Sequence, residues 1–275
     1  MTEPRFDRVL ITGAAGRLGT ELRRGLAPLA RELRLADRAP ILELRPNETA
    51  MIFDLADEAA CHAACAGVDA VVHFGGTPHE APWAEILDSS IRGSYHIYEG
   101  ARRAGVRRIV YASSVHAVGF HRLEDHVDAA APVRPDSLYG VSKCFTEALA
   151  RLYWDKFGIE SACLRIFSSF PEPGDRRNLW SWLSFGDCVR LVEAALTAPR
   201  VGHTIAFGMS DNPVKPVDDR LARHLGFVPQ DGTAPFRARV EAAVPPGDPA
   251  APSVMYLGGR ICAAGHPEDR DEGQL

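Results

Sequence analysis

Apolar residues recur along the first two-thirds of the chain in short unbroken blocks, and between the blocks they return with helical spacing. Arg8-Val9-Leu10-Ile11-Thr12 opens the series and runs into glycine, and residues 17 to 27 then read as a helix. Glu32 to Ala36 and Met51 to Leu55 predict a second and a third strand, with a helix over 57 to 66. Ala70-Val71-Val72-His73-Phe74 is a fourth strand, ending at Gly75-Gly76. A long helical stretch covers 82 to 104, and the fifth strand, Arg108-Ile109-Val110-Tyr111-Ala112, ends at Ser113-Ser114. A helix over 137 to 157 and a sixth strand, Ser161 to Phe167, complete the alternation. Strands this uniformly apolar are covered on both faces. The pattern therefore predicts an α/β fold, a Rossmann-type doubly wound parallel sheet.

After Phe167 the pattern loosens. Residues 1–168 read mainly as a dinucleotide-binding domain. Residues 169–275 read as a small substrate-covering region in which sheet elements return over 186–208, a helix at 186 to 198 and a strand at His203 to Phe207. Two short helical stretches, a proline-rich segment (Pro245, Pro246, Pro249, Pro252) and a polar tail follow. The Ser-, Pro- and Gly-rich stretch Ser168 to Asp175 suits a loop at the carboxyl end of the sixth strand, where open α/β sheets hold their ligands.

Bulk properties narrow the class. The 275 residues suffice for one large domain with a small appendage, and 46% hydrophobic with 24% charged residues is ordinary globular composition. A net charge of −5 argues against nucleic acid or an anionic membrane as partner. No apolar run approaches the roughly 20 residues of a membrane helix. The start, Met1 to Asp7, lacks the apolar stretch of a signal peptide, so the expected compartment is the cytoplasm. Cys61 and Cys65 stand one helical turn apart beside His62, but the two-residue spacing of common zinc sites is absent, and no metal is expected. All six cysteines read as buried, reduced thiols.

Two motifs carry the chemistry. Thr12-Gly13-Ala14-Ala15-Gly16-Arg17-Leu18-Gly19 lies between the first strand and the first helix, the place for a tight turn that brings backbone against a pyrophosphate. Asp37 ends the second strand 24 residues after Gly13, where a carboxylate accepts from ribose hydroxyls and repels a 2′-phosphate. That favours NAD over NADP, although the adjacent Arg38 suits a phosphate. Asp54, with Leu55 at the end of the third strand, either faces the adenine or caps the following helix. Phe74-Gly75-Gly76 lets a dinucleotide lie against backbone. Further on, Tyr139 and Lys143 are four residues apart on one helix face. A phenol titrates near pH 10, and an ammonium beside it stabilises the phenolate, so the pair is a proton-transfer device. Ser114, 25 residues upstream, comes to the same end of the sheet and can hold the reacting oxygen. For Ser113, simple strand-end hydrogen bonding is the plainer reading.

Together these residues resemble the extended short-chain dehydrogenase/reductase family. Several stretches resemble, more narrowly, its NAD-dependent uronate dehydrogenases: Ile11 to Gly16, Leu35-Ala36-Asp37, Arg134-Pro135-Asp136, Leu138 to Phe145, Asp155 to Gly158, Pro171-Glu172-Pro173 and Trp182 to Ala195. The resemblance runs from about residue 8 to about 245. It implies oxidation at C1 of a hexuronate, such as glucuronate or galacturonate, to an aldarolactone with NAD, in a homo-oligomer. It also implies site residues. The cofactor set is Gly13, Gly16, Arg17, Leu18, Gly19, Asp37, Arg38, Asp54, Leu55, Phe74, Gly75, Gly76, Tyr139, Lys143, Ile166 and Ser169. The sugar-acid set is Thr77, Ser114, Val115, His116, Tyr139, Ser168 and Arg177, with Ser114, Tyr139 and Lys143 catalytic. Arg177 is either a carboxylate clamp or a solvated surface arginine, with Arg176 adjacent as a substitute, and His116 is either a sugar contact or a satisfied loop histidine. This chain departs from the family pattern at Val115 in place of asparagine, Pro78 in place of serine, and Ser90 in place of asparagine. A dehydrogenase of another small sugar, a sugar epimerase or dehydratase, and a non-catalytic dinucleotide sensor are the competing readings. Dehydration uses an acidic pair where this chain has Val115-His116, nucleotide-sugar epimerases need a larger carboxy-terminal region, and a sensor would not retain Tyr139 and Lys143.

Overall fold

Seven parallel strands form the centre of the molecule. The computed structural model describes residues 3–269; the last part of the polar tail, from 270, lies outside the described residues, as do the first two residues of the chain. The strands are β1 (Phe6–Thr12), β2 (Ala30–Asp37), β3 (Glu48–Ile52), β4 (Ala70–His73), β5 (Arg108–Ser114), β6 (Glu160–Ile166) and β7 (His203–Gly208). They lie in the order β3-β2-β1-β4-β5-β6-β7, and every neighbouring pair is parallel. The order of succession reverses between β1 and β4, which opens a crevice at their carboxyl ends.

Alternation along β1 shows why the strands read as unbroken apolar runs. Val9 and Ile11 pack on one face of the sheet with Leu22 of α1 (Arg17–Gly25) and with Leu191 and Val192 of the helix Phe185–Thr197. Leu10 packs on the other face, with Cys61 and Cys65 of α2 (Glu58–Cys65), Ile97 of α3 (Gly93–Ala104), and Leu149 and Tyr153 of α4 (Leu138–Phe157). Successive side chains point to opposite faces, and both faces are dry. The Phe185–Thr197 helix is α5, and α6 (Arg237–Ala243) lies in the carboxy-terminal region.

Boundaries differ from the sequence reading where pairing partners decide them. β3 ends at Ile52, before Asp54 and Leu55, because its register with β2 runs from Leu33–Glu48 to Asp37–Ile52 and β2 ends there. The strand begins on a charged residue, Glu48, which is buried against the Arg23 guanidinium at 2.7 Å. The helical stretch at 83–104 is continuous but widens to π-helical over Ile86–Arg92. The carboxy-terminal region holds more short turns than the two helical stretches expected, including Arg220–Leu225, Ala234–Phe236, Pro252–Met255 and Gly259–Ala263. Four cysteines are buried as expected, while Cys144 and Cys262 are only half-buried. Among the described residues, no group of three or more His, Cys, Asp or Glu side chains is placed to hold a metal ion, and no helix is long and apolar enough to cross a membrane.

Candidate active site

The crevice is a continuous cleft of about 1490 Å³, lined by all of the cofactor and sugar-acid residues named from the sequence. It exceeds the roughly 300–1,000 Å³ of a site for a single drug-sized ligand. Its length runs from the turn after β1 to the loops after β5 and β6.

At one end the wall is backbone. Gly13 has φ +72°, and a Cβ on it would lie 2.6 Å from the Phe74 carbonyl oxygen. A Cβ on Gly19 would lie 2.0 Å from the Gly13 carbonyl oxygen. The turn is thus pressed against the exit of β4 on one side and against α1 on the other. The first turn of α1 has no acidic residue, and Gly16 at its N-cap supplies no side chain to the free N–H groups. An uncapped helix start facing a cleft fits the diphosphate of a dinucleotide. Asp37 accepts from Ala15 N–H (2.9 Å) and Ala39 N–H (3.0 Å), which holds its carboxylate at the cleft wall. Arg38 is exposed at the rim. Asp54 does not cap α2: Asp57 does, accepting from Ala60 N–H at 3.0 Å, while Asp54 accepts from Ala56 N–H within its own turn.

A polar relay beneath this cradle escaped the sequence reading, which took His73 only as part of an apolar strand. Thr12 Oγ1 accepts from Gly75 N–H (3.1 Å) and lies 2.7 Å from His73 Nδ1, whose ring reaches Ser94 Oγ at 3.2 Å through Nε2. Full burial lowers the His73 pKa to about 3, so the ring is a neutral tie between β1, β4 and α3.

In the middle of the cleft, Ser114 ends β5 and α4 brings Tyr139 and Lys143 to it. The start of α4 is fixed twice. Ser137 Oγ accepts from Gly140 N–H at 2.9 Å, and the buried Glu80 carboxylate accepts from Leu138 N–H (3.1 Å) and Tyr139 N–H (2.8 Å). A carboxylate at a helix N-terminus also meets the positive end of the helix dipole. Nothing local in the sequence marks Glu80, because its partners lie 58 and 59 residues away. Ser114 Oγ accepts from His116 N–H at 3.3 Å and faces the Tyr139 phenol, whose ionised form it favours. Lys143 donates to the Ala112 carbonyl (2.7 Å) and lies 4.9 Å over the Tyr111 ring and 5.1 Å over the Tyr139 ring.

The expected depression of the tyrosine pKa is not found. Burial pushes Tyr139 up to about 12, and Ser114 offsets only part of that. Lys143 is itself pulled down to about 8 by burial, with Glu147 acting against the shift. Desolvation is the largest cause of both shifts. Ser113 donates to Glu147 Oε1 (2.6 Å), and Arg165 forks onto the same carboxylate, reaching Oε1 at 2.9 Å and Oε2 at 2.8 Å.

The other end is built from side chains. Arg177 donates to Ser168 Oγ and to the Leu257 carbonyl, both at 2.6 Å, and its Nε is buried without a hydrogen-bond partner. It forms no ion pair among the described residues, and burial lowers its pKa. It is therefore not a solvated surface arginine. Arg176 turns away and donates to the Val244 and Glu241 carbonyls, so it cannot substitute for its neighbour. His116 faces Asp136, with Nδ1 2.8 Å from Oδ2. The Thr77 hydroxyl is engaged with Glu85 (3.0 Å) and Ser89 (2.6 Å). Ser90 holds the turn by accepting from Thr77 N–H at 3.1 Å. Val115 touches the cleft but is 2% exposed and packs among Val118, Phe167 and Phe207, so its side chain serves the core rather than a polar ligand. Gly258, Arg260 and Ile261 also line this end, and the sequence pattern gave no sign of them.

Residues 9–172 match the NAD-dependent epimerase/dehydratase family. The chain is 49% identical over 266 residues to a uronate dehydrogenase from Pseudomonas putida, covering 96% of this chain and 99% of the relative. A solved glucuronic acid dehydrogenase from Chromohalobacter salexigens superposes with a TM-score of 0.94 at 43% identity, covering 96% of this chain and all of the other. A mutated uronate dehydrogenase from Agrobacterium tumefaciens, solved with NAD, gives a TM-score of 0.91 at 44% identity, covering 94% and 98%.

Proposed function

The chain belongs to the NAD-dependent epimerase/dehydratase family, and on that premise we propose that it oxidises a hexuronate of the glucuronate or galacturonate type at C1 with NAD, giving an aldarolactone. The observation that carries the reading is Arg177, a largely desolvated guanidinium at the sugar end of the cleft with no carboxylate in ion-pair range among the described residues. Asp175 and Asp136 lie near enough to favour its charge but neither pairs with it, and a buried guanidinium short of a paired anion suits a ligand carboxylate. The backbone cradle at the other end fits the dinucleotide, through the uncapped start of α1 and the carboxylate of Asp37.

Bound at this cradle, NAD would supply the acceptor for the hydride from C1. The chain's residues supply the rest. Ser114 holds the C1 oxygen, and Tyr139 takes the hydroxyl proton. The Lys143 ammonium over the phenol ring favours the ionised form that accepts it.

The test is NADH formation over a panel of uronates, neutral aldoses and other acidic sugars. Uronates are expected to lead. Arg177→Ala should raise the uronate KM by roughly 10- to 100-fold, the worth of hydrogen bonds to a charged group, while leaving neutral aldoses unaffected. Preference for neutral sugars, together with a harmless Arg177→Ala, would reject the carboxylate clamp.

A further inference from the structure

We propose that Asp136 is a positioning residue for sugar recognition: it holds the His116 ring so that Nδ1 carries the proton and Nε2 is offered to the cleft as an acceptor for a substrate hydroxyl. This deepens the sugar-acid reading above and rests on it for the identity of the ligand.

Asp136 lies in the loop before α4, and its side chain has no exposed surface, while that of His116 is 19% exposed. A carboxylate only accepts, so at 2.8 Å from Oδ2 the proton must sit on Nδ1. His116 lines the cleft, and its Nε2 has no hydrogen-bond partner among the described residues. The ring stands edge-on to Tyr139, with centroids 5.6 Å apart, which places any group bound by it beside the phenol.

The carboxylate is held on every side. Ser137 Oγ donates to Oδ1 (2.8 Å), and the Cys262 thiol donates to Oδ2 (3.6 Å). Backbone closes over it from two separate loops: a Cβ on Gly119 would lie 1.9 Å from Oδ2, and one on Gly258 only 1.7 Å. A rigid acceptor in a dry site fixes both the rotamer and the tautomer of the imidazole.

The consequence is a sorting rule inside the cleft. An Nε2 lone pair binds a hydroxyl proton and repels a carboxylate, whereas the Arg177 guanidinium attracts a carboxylate. The two groups then fix which end of the sugar acid faces which wall, and the segment 257–262 links them, since Leu257 accepts from Arg177 and Cys262 donates to Asp136.

The experiment has two independent parts. Long-range proton–nitrogen spectra of histidine-labelled full-length protein in mildly alkaline buffer report the tautomer without any turnover, with His116 identified by its loss in His116→Ala. Wild type should show protonated Nδ1 and bare Nε2, and Asp136→Ala should lose that preference. A wild-type ring protonated on Nε2, or on both nitrogens, overturns the proposal. Hexuronate kinetics form the second part. Asp136→Ala and His116→Ala should each raise KM by about tenfold, with a smaller change in kcat, and the double variant should stay within about twofold of His116→Ala alone. Asp136→Asn, which keeps an acceptor oxygen, should recover near-wild-type KM. Losses that multiply to about a hundredfold in the double variant would show a structural role and reject the positioning role. If Asp136→Ala fails to fold, the wild-type spectrum and Asp136→Asn decide. Absence of any hexuronate turnover in wild type would instead strike the functional reading, leaving the spectrum to judge the tautomer.

Discussion

The two ends of the cleft are made of different materials. The cofactor end is backbone: the Gly13 to Gly19 turn pressed against Phe74, an uncapped helix start, and one carboxylate tied to two nearby N–H groups. The end proposed to take the sugar is side chains: Arg177, His116 and Ser168, held by partners on loops that meet only in the fold. Backbone recognition tolerates little change in sequence, because an added Cβ collides with main chain. Side-chain recognition can be re-specified one residue at a time. This chain has Val115 where the family resemblance leads one to expect asparagine, and the cofactor cradle is unaffected. The contrast explains how one fold keeps one cofactor while its substrates vary.

The sharpest test of that division lies at its boundary. Tyr139→Phe belongs to neither wall, so NAD binding, followed by fluorescence titration, should persist while turnover falls at least about a hundredfold, the scale of a lost acid–base group. Unchanged turnover would remove Tyr139 from the chemistry. Gly19→Ala strikes the backbone end, because its Cβ would lie 2.0 Å from the Gly13 carbonyl oxygen. The NAD dissociation constant should rise by more than about tenfold, while the ranking of sugars in the panel stays the same. A changed ranking with intact NAD affinity would break the comparison. Asp37→Ser should erode the preference for NAD over NADP several-fold, read as the ratio of kcat/KM for the two cofactors, since one repulsive charge is removed. An unaltered ratio would assign the preference elsewhere.

The smallest effect is on stability against pH. Burial lowers Lys143 from 10.5 to about 8, so between those values the unfolded chain holds a proton that the folded one lacks. Stability attributable to this group therefore rises with pH across that window; the cost of its buried ammonium is full below about 8 and gone above the ordinary value. Comparing cofactor-free wild type with Lys143→Met by thermal unfolding, the difference in Tm should move in favour of wild type as pH climbs from about 8 to about 10. A flat difference would show that Lys143 is not desolvated as described.

The same contrast separates what was legible in the sequence from what was not. The glycine turn and the Tyr139/Lys143 spacing could be read because each is a pattern within a few residues, and Asp37 because it ends a strand; its bond to Ala15 N–H, 22 residues away, was not legible. The third strand was misplaced because its apolar signal, Met51 to Leu55, competes with a register set by β2, and a buried Arg23–Glu48 pair admits a charge at its start. The expected lowering of the Tyr139 pKa reversed because spacing reports proximity to Lys143 but not the burial that shifts both groups.

Sequence by itself determined the α/β alternation, the parallel sheet, the glycine turn after β1 and the Tyr139/Lys143 pairing on one helix face. These follow from periodicity and local backbone geometry, which act over one turn of chain. Only the tertiary structure decided that Glu80 caps α4, that Asp136 holds His116, and that Arg177 rather than Arg176 lines the cleft. Those contacts join residues from 20 to 80 positions apart. Their strength comes from desolvation, which exists only once the whole chain has closed around them.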